Sequence, residues 1–257
     1  VNMSIEIAIF LAIASGFAGF VDAMAGGGGL IQLPALLVGL PNKDLPLILG
    51  TNKVPSIFGT AAAARNYFKN IKPDIPLTIT MMVPAFAGSM AGAALAATIP
   101  KEFFKPFLVF LLLVVAIYTW RKPEMGMNEN LKYTNRKRLV IVAVIGLLIG
   151  FYDGFIGPGT GSFLVLGFIA LLGYDFLQAS AHAKMVNLST NFGSIVLFFL
   201  KGSIIWGVAI PMAICNAVGG LLGAKLAIAK GNQFIRVFFL LVIGATILRF
   251  GYDVFFK

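Results

Sequence analysis

The chain reads as an all-α polytopic membrane protein made of two homologous repeats, each of about five membrane segments. Three observations predict this. Of 257 residues, 59% are hydrophobic and 12% charged, against about 25% charged in ordinary soluble domains. The apolar residues gather into ten stretches: 5–21, 23–40, 45–68, 75–98, 103–120, 138–152, 155–173, 177–200, 204–228 and 234–256. A helix needs about 20 such residues to cross the hydrocarbon core. Finally, polar landmarks recur between the two halves at a constant separation of 131 residues.

No basic residue precedes stretch 5–21, so it reads as a span and not as the core of a signal peptide. It meets 23–40 at a glycine cluster instead of a polar loop, and 138–152 meets 155–173 in the same way. Each partner looks short for a full span. Broken or re-entrant helices meeting inside the membrane are therefore expected. The other six stretches read as ordinary spans. Between them, 121–138 holds Arg121, Lys122, Lys132, Arg136, Lys137 and Arg138 against Glu124 and Glu129. A basic segment without apolar periodicity is expected to be a cytoplasmic loop. It divides the chain into a first repeat, 1–120, a linker, 121–137, and a second repeat, 138–257.

The repeat rests on one register. GFVDAMAGGG (19–28) falls on GFYDGFIGPG (150–159), which pairs Gly19 with Gly150, Phe20 with Phe151, Asp22 with Asp153, Gly26 with Gly157 and Gly28 with Gly159. The same register pairs Asp44 with Asp175, Lys53 with Lys184, Gly88 with Gly219 and Gly92 with Gly223. Shared small-residue composition explains the glycine matches but not the coincident Asp and Lys. Five crossings per unit would make the two units inverted; four would make them parallel. The first 42 residues contain no Lys or Arg. The inverted arrangement puts 69–74, 121–138 and 229–236 on the cytoplasmic side, so the distribution of positive charge favours it.

Other classes lack their parts. The net charge is +10, but its basic residues flank apolar segments and form no aromatic-interleaved surface for nucleic acid. A single cysteine, Cys215, and a single histidine, His182, allow neither an internal disulfide nor a multi-cysteine metal site. HExxH, GxxxxGK[ST] and GxSxG are missing from the sequence. Neither an enzyme, nor a metal site, nor a cofactor is expected.

Four groups of residues can carry function. In AGGGGL (25–30), the run Gly26, Gly27, Gly28 and Gly29 breaks a helix, since each glycine costs about 1 kcal/mol relative to alanine. The helix that resumes there offers N–H groups and a positive dipole end to an anion. GPGTGS (157–162) does the same with Gly157 and Gly159, adding the Thr160 and Ser162 hydroxyls. For Gly88, Gly92, Gly219 and Gly223, close helix packing is the preferred reading. In TNKV (51–54) and HAKMVNLSTN (182–191), Lys53 and Lys184 lie inside apolar segments, at about 2.5–3.5 kcal/mol on insertion scales. They either snorkel to the interface or face a cavity that attracts an anion. Asn52, Ser56 and Thr60 in the first copy, and His182, Asn187, Ser189, Thr190 and Asn191 in the second, imply a polar lumen. Asp22 and Asp153 precede the breaks, either as caps and lysine partners or as proton-coupling carboxylates. His182 is a proton relay or a lumen residue that does not titrate.

GFVDAMAGGGGLIQLPALL with LGTNKV, and GFYDGFIGPGTGSFLVLGF with AHAKMVNLSTN, resemble the paired signatures of the TauE/SafE sulfite-exporter family, the toluene-sulfonate uptake permease group, and above all its YfcA-like branch. The resemblance covers nearly the whole chain. It implies a secondary transporter of small anions in the prokaryotic plasma membrane, typically of sulfite, sulfonates, sulfoacetate or related organic sulfur anions, in either direction. It carries the family's motif positions onto Asp22, Gly26 to Gly29, Asn52, Lys53, Asp153, Gly157, Gly159, His182, Lys184 and Asn187. Thr51 stands where the second copy has His182, so proton coupling need not be symmetric.

The expected partners are the lipid bilayer and a small anionic substrate; a homodimer is compatible with the sequence, which leaves the oligomeric state open. Substrate is expected between the repeats near mid-membrane, with alternating access. Coupling to protons or to membrane potential stays open. So do an anion channel and a transporter of other small carboxylate anions.

Overall fold

A computed structural model describes residues 4–96, 125–132 and 136–256, together with residues 110, 113, 114, 117, 120 and 121. Most of the expected span 103–120 lies outside the described residues. The described residues are mainly helical: α1 (Ile5–Ala25), α2 (Gly29–Gly39), α3 (Leu45–Ile71), α4 (Ile75–Leu95), α5 (Arg136–Phe155), α6 (Thr160–Gly167), α7 (Phe176–Leu200) and α8 (Trp206–Phe256). A wide π-helical turn, Phe168–Leu172, prolongs α6. Among the described residues, five helices are long and apolar enough to cross a membrane: α1, α4, α5, α7 and α8.

The chain starts and stops these helices locally. The Ser4 hydroxyl accepts the Ile7 N–H at the head of α1, Asp74 accepts that of Leu77 in α4, and Asp175 accepts that of Gln178 in α7. α1 ends where Gly26 takes φ 73° and its N–H returns to the Asp22 carbonyl. α8 contains both of the last expected spans. They are separated at Gly231, which is non-helical at φ 79°.

The broken pairs differ from expectation in one respect. α1 and α5 are full-length helices of 21 and 20 residues. Only the partners that follow the breaks are short, with 11 residues in α2 and 8 in α6. The reason is that Val21, Asp22 and Ala23 remain helical, so the break falls at the glycines and not before the aspartate.

Contacts fix the directions of the helices. Along α1 and the part of α8 before Gly231, Ser15 reaches Met212, Gly19 abuts Asn216, and Phe20 lies against Gly219 and Gly223, so the two run the same way. α3 runs with them, because Gly59 abuts Asn216 and Asn66 reaches the Leu221 carbonyl. The short turn at 72–74 reverses the chain into α4. α5 follows α4, with Gly146, Gly150 and Gly154 against Met81, Ala85 and Ser89. α7 follows α4 too, with His182, Ser189 and Ser194 bonded to Thr78, Met82 and Ser89.

The closest approaches use glycine. A Cβ on Gly88 or Gly92 would collide with the backbone at Leu147 or Phe151 of α5, and one on Gly219 or Gly223 with that at Gly16 or Phe20 of α1. These four positions are helix-packing sites, as small residues allow between membrane helices.

The core is split. Leu11, Leu36, Ile48, Val54, Phe198 and Met212 belong to one cluster, and Met24, Ala63, Tyr67, Phe168, Phe176 and Phe239 to another. Along α3, polar Ser56 and Thr60 fall between the two. Large apolar side chains such as Ile13, Val83, Leu148, Leu200 and Leu241 point outward, as a lipid-facing surface requires. The described part of the linker is docked: Asn130 and Lys132 donate backbone N–H bonds to Gly173 and Leu172, and Phe176 donates to Gly126.

Candidate functional site

The two helix breaks touch. Gly26 lies against Gly161, with φ 73° and no room for a side chain. The Ser162 N–H donates to the Gly26 carbonyl at 3.1 Å, and its hydroxyl to the Ala25 carbonyl at 2.7 Å. Gly29 faces Pro158. The first turns of α2 and α6 therefore converge, bringing two sets of N-terminal N–H groups together.

The two buried lysines cross over. Lys53 of α3 sits 2.9 Å from Oδ1 of Asp153 at the end of α5, and donates to the Asp153 carbonyl at 2.7 Å. Lys184 of α7 sits 2.9 Å from Oδ2 of Asp22 near the end of α1, and donates to the Asp22 carbonyl as well. Each lysine is thus paired with the aspartate of the other half. Neither snorkels: the Lys53 and Lys184 side chains are 4% and 1% exposed. Pairing a buried ion lowers a desolvation cost of several kcal/mol, and removal of one partner restores it.

A polar cavity lies beside the crossing, lined by Asp22, Gly26, Gly28, Gly29, Asn52, Lys53, Asp153, Gly157, Gly159, Thr160, Asn187 and Asn191. Twelve of the sequence candidates are brought together in this way. Ser56 and Thr60 join them, with Ala18, Gln32, Gly161 and Asn216. The Thr160 hydroxyl donates to the Gly157 carbonyl at 2.6 Å, which steadies the second break. Asn187 accepts from Thr190 and Asn191 within α7.

Six candidates stand apart. The Ser189 hydroxyl donates to the Met82 carbonyl of α4 at 2.8 Å, and that of Thr190 to the Asn187 carbonyl within α7 at 3.0 Å. Gly27 points toward Val242 and Leu30. Ser162 spends its hydroxyl on the other break. Lys184 is turned away by its bonds to Asp22. His182 is fully buried, stacked on Phe168 at 4.9 Å and against Tyr174 at 4.7 Å, with Nδ1 2.7 Å from the Thr78 hydroxyl. Thr78 in turn donates to the Asp74 carbonyl at 2.6 Å. His182 shares a helix with the lumen residues but not their face.

Two residues escaped the sequence reading. Gln32 donates to Oδ1 of Asn52 at 2.7 Å, and its own Oε1 accepts from Asn216 at 2.6 Å. Asn216 also donates to the Ser15 carbonyl at 2.9 Å. The chain Ser15–Asn216–Gln32–Asn52 ties α1, α8, α2 and α3 together at one wall of the cavity. The signal that could have found them is a lone amide inside an apolar stretch.

A bundle of this kind, with broken helices around a buried polar cavity, defines a multi-pass membrane protein of the transporter class. The chain belongs to the TauE/SafE sulfite exporter family, whose family model matches residues 11–250. It is 37% identical to a Sinorhizobium protein named "Probable membrane transporter protein ORF9", over 96% of this chain and 94% of that one. A Haemophilus influenzae protein named "Probable membrane transporter protein" is 36% identical over 91% of each chain. "Probable membrane transporter protein YfcA" of Escherichia coli K12 is 34% identical over 92% of this chain and 86% of its own. No solved structure matches. The family and these relatives are membrane transporters, not enzymes.

Proposed function

We propose that this protein is a secondary transporter of small anions, with sulfite, sulfonates and sulfoacetate as its substrate class, working by alternating access between two inverted repeats. The observation that carries the reading is the polar cavity between the two glycine breaks, with the Lys53 ammonium in its wall. Helix N-termini and the amides of Asn52, Asn187 and Asn191 add neutral donors, a set suited to a tetrahedral or pyramidal oxyanion. The sulfur specificity rests on the family's description as sulfite exporters.

The helix directions support the inverted repeat. The 131-residue register matches α1 with α5, α3 with α7 and α4 with the first part of α8. In each match the two helices run oppositely, since α1, α3 and the part of α8 before Gly231 point one way and α4, α5 and α7 the other. The contacts repeat as well: Gly88 and Gly92 on Leu147 and Phe151 correspond to Gly219 and Gly223 on Gly16 and Phe20. The crossed Lys–Asp pairs map onto each other in the same register. With 121–138 cytoplasmic, the N-terminus of α1 faces outside.

Calorimetric binding of sulfite, sulfoacetate and thiosulfate to the purified protein tests the site. Wild type binds at least one of them, and Lys53→Ala abolishes that binding. Undiminished binding in Lys53→Ala overturns the site.

A further inference from the structure

The two Lys–Asp pairs match in the repeat but differ in their surroundings. Asp22 has both carboxylate oxygens occupied: Oδ1 accepts the Gly28 N–H at 3.3 Å and Oδ2 accepts Lys184. Asp153 does not. Its Oδ1 meets Lys53, while Oδ2 is buried without a hydrogen-bond partner, on a side chain 3% exposed in the cavity wall. An anionic oxygen in that position is costly until something donates to it.

We propose that Asp153 is the coupling carboxylate, taking one proton on Oδ2 when Lys53 takes the anion, while Lys184–Asp22 is a fixed structural pair. This rests on the anion-transport reading above. The two acceptors of Lys53 are both atoms of Asp153, so the carboxylate and an incoming anion compete for one ammonium. A proton on Oδ2 neutralises the carboxylate and leaves the ammonium's charge to the anion. The O–H bond forms on Asp153 as an O–H bond of hydronium breaks and leaves water; no other covalent bond changes. Proton and anion then bind cooperatively and travel together, the thermodynamic basis of symport.

The surroundings single out a proton. Among the elements around Asp153, Lys53 of α3 is the charged side chain in contact. Tyr152, its neighbour on α5, donates its hydroxyl to the Pro158 carbonyl. α2, α4 and α6 carry no titratable side chain. α7 brings Lys184, held by Asp22 of α1, and His182, held against Thr78. A metal cation at Oδ2 would sit beside the Lys53 ammonium and be repelled by it.

Methanesulfonate tests this, because its charge is constant across the working pH range; its binding is measured at several pH values in wild type, Asp153→Asn and Asp22→Asn. In wild type, affinity falls as pH rises above the ionisation of Asp153, approaching about tenfold per pH unit for one linked proton. Asp153→Asn binds methanesulfonate with no pH dependence, and Asp22→Asn keeps the wild-type slope. As a check independent of variant folding, infrared difference spectra of wild type show a carboxylic C=O band appearing on methanesulfonate addition. Binding whose slope survives Asp153→Asn, or a slope that disappears with Asp22→Asn, or binding that requires sodium, overturns the proton assignment alone. If wild type binds neither methanesulfonate nor the other sulfur anions, the transport reading fails, and this inference with it.

Discussion

Lys184 closes on Asp22 at 2.9 Å, joining α7 to α1 across the two halves of the chain. With the lysine fully buried, each partner is the other's counter-ion. Lys184→Met leaves the Asp22 carboxylate uncompensated, at a cost of about 3–5 kcal/mol. Adding Asp22→Asn removes the stranded charge and recovers part of the loss. Thermal unfolding in detergent measures both; a double variant that melts below the single one would show that the charge pairing is not what matters there.

Asn216 is the hub of the Ser15–Gln32–Asn52 chain. Asn216→Ala leaves the Ser15 carbonyl and Gln32 Oε1 short of a donor, so stability falls by about 1–3 kcal/mol. Gln32 Oε1 then keeps only the Ser15 hydroxyl at 3.1 Å, so its amide is held less firmly against Asn52. Anion affinity should therefore fall together with the melting temperature, while Asn128→Ala in the linker leaves both unchanged.

Gly88 is set against the Leu147 carbonyl with no space for a side chain, whereas nothing among the described residues lies within 4 Å of a Cβ placed on Gly244. Gly88→Val must push α4 off α5, a cost of about 1–3 kcal/mol or more. Gly244→Ala should be near neutral. Comparing the two melting curves separates close packing from glycine content as the reason for small residues in these helices.

The charged residues made the site legible in the sequence. Asp22, Lys53, Asp153 and Lys184 stand out because an apolar segment tolerates such groups only in buried partnership, and their shared register marks them as two versions of one arrangement. What the sequence could not supply is the crossing, since a linear register relates Lys53 to Lys184 but says nothing of which aspartate each meets. Gln32 and Asn216 were hidden for a related reason: their register counterparts are Phe163 and Ala85, so a search by repetition passes over them. His182 stands out in the sequence as the single histidine in a segment studded with polar residues. The polarity of a segment does not fix which way one side chain points, and the aromatic faces of Phe168 and Tyr174 hold this one away from the cavity.

That placement separates stability from binding at His182. His182→Ala empties the space between Phe168 and Tyr174 and costs about 2–5 kcal/mol, in the range of large-to-small core substitutions. Anion affinity should stay within about threefold of wild type, equivalent to less than 1 kcal/mol. Calorimetry on the purified variant checks this, and a loss of binding as complete as that of Lys53→Ala would put His182 in the site.

The proposed inverted arrangement has a consequence at the helix ends. α3 ends beside Lys72 and α7 ends beside Lys201; both residues are exposed. α3 and α7 are counterparts in the register, so a parallel duplication would leave these ends on one side of the membrane and an inverted one on opposite sides. Cys215 is the chain's single cysteine, and Cys215→Ser gives a background in which one new thiol can be read alone. In that background, Lys201→Cys should react with a membrane-impermeant maleimide on intact cells if the linker is cytoplasmic as proposed, because its described part lies on the side of Lys72. Lys72→Cys should react only after the membrane is opened. Labelling of both from the same side would overturn the inversion while leaving the crossed Lys–Asp pairs and the cavity unchanged.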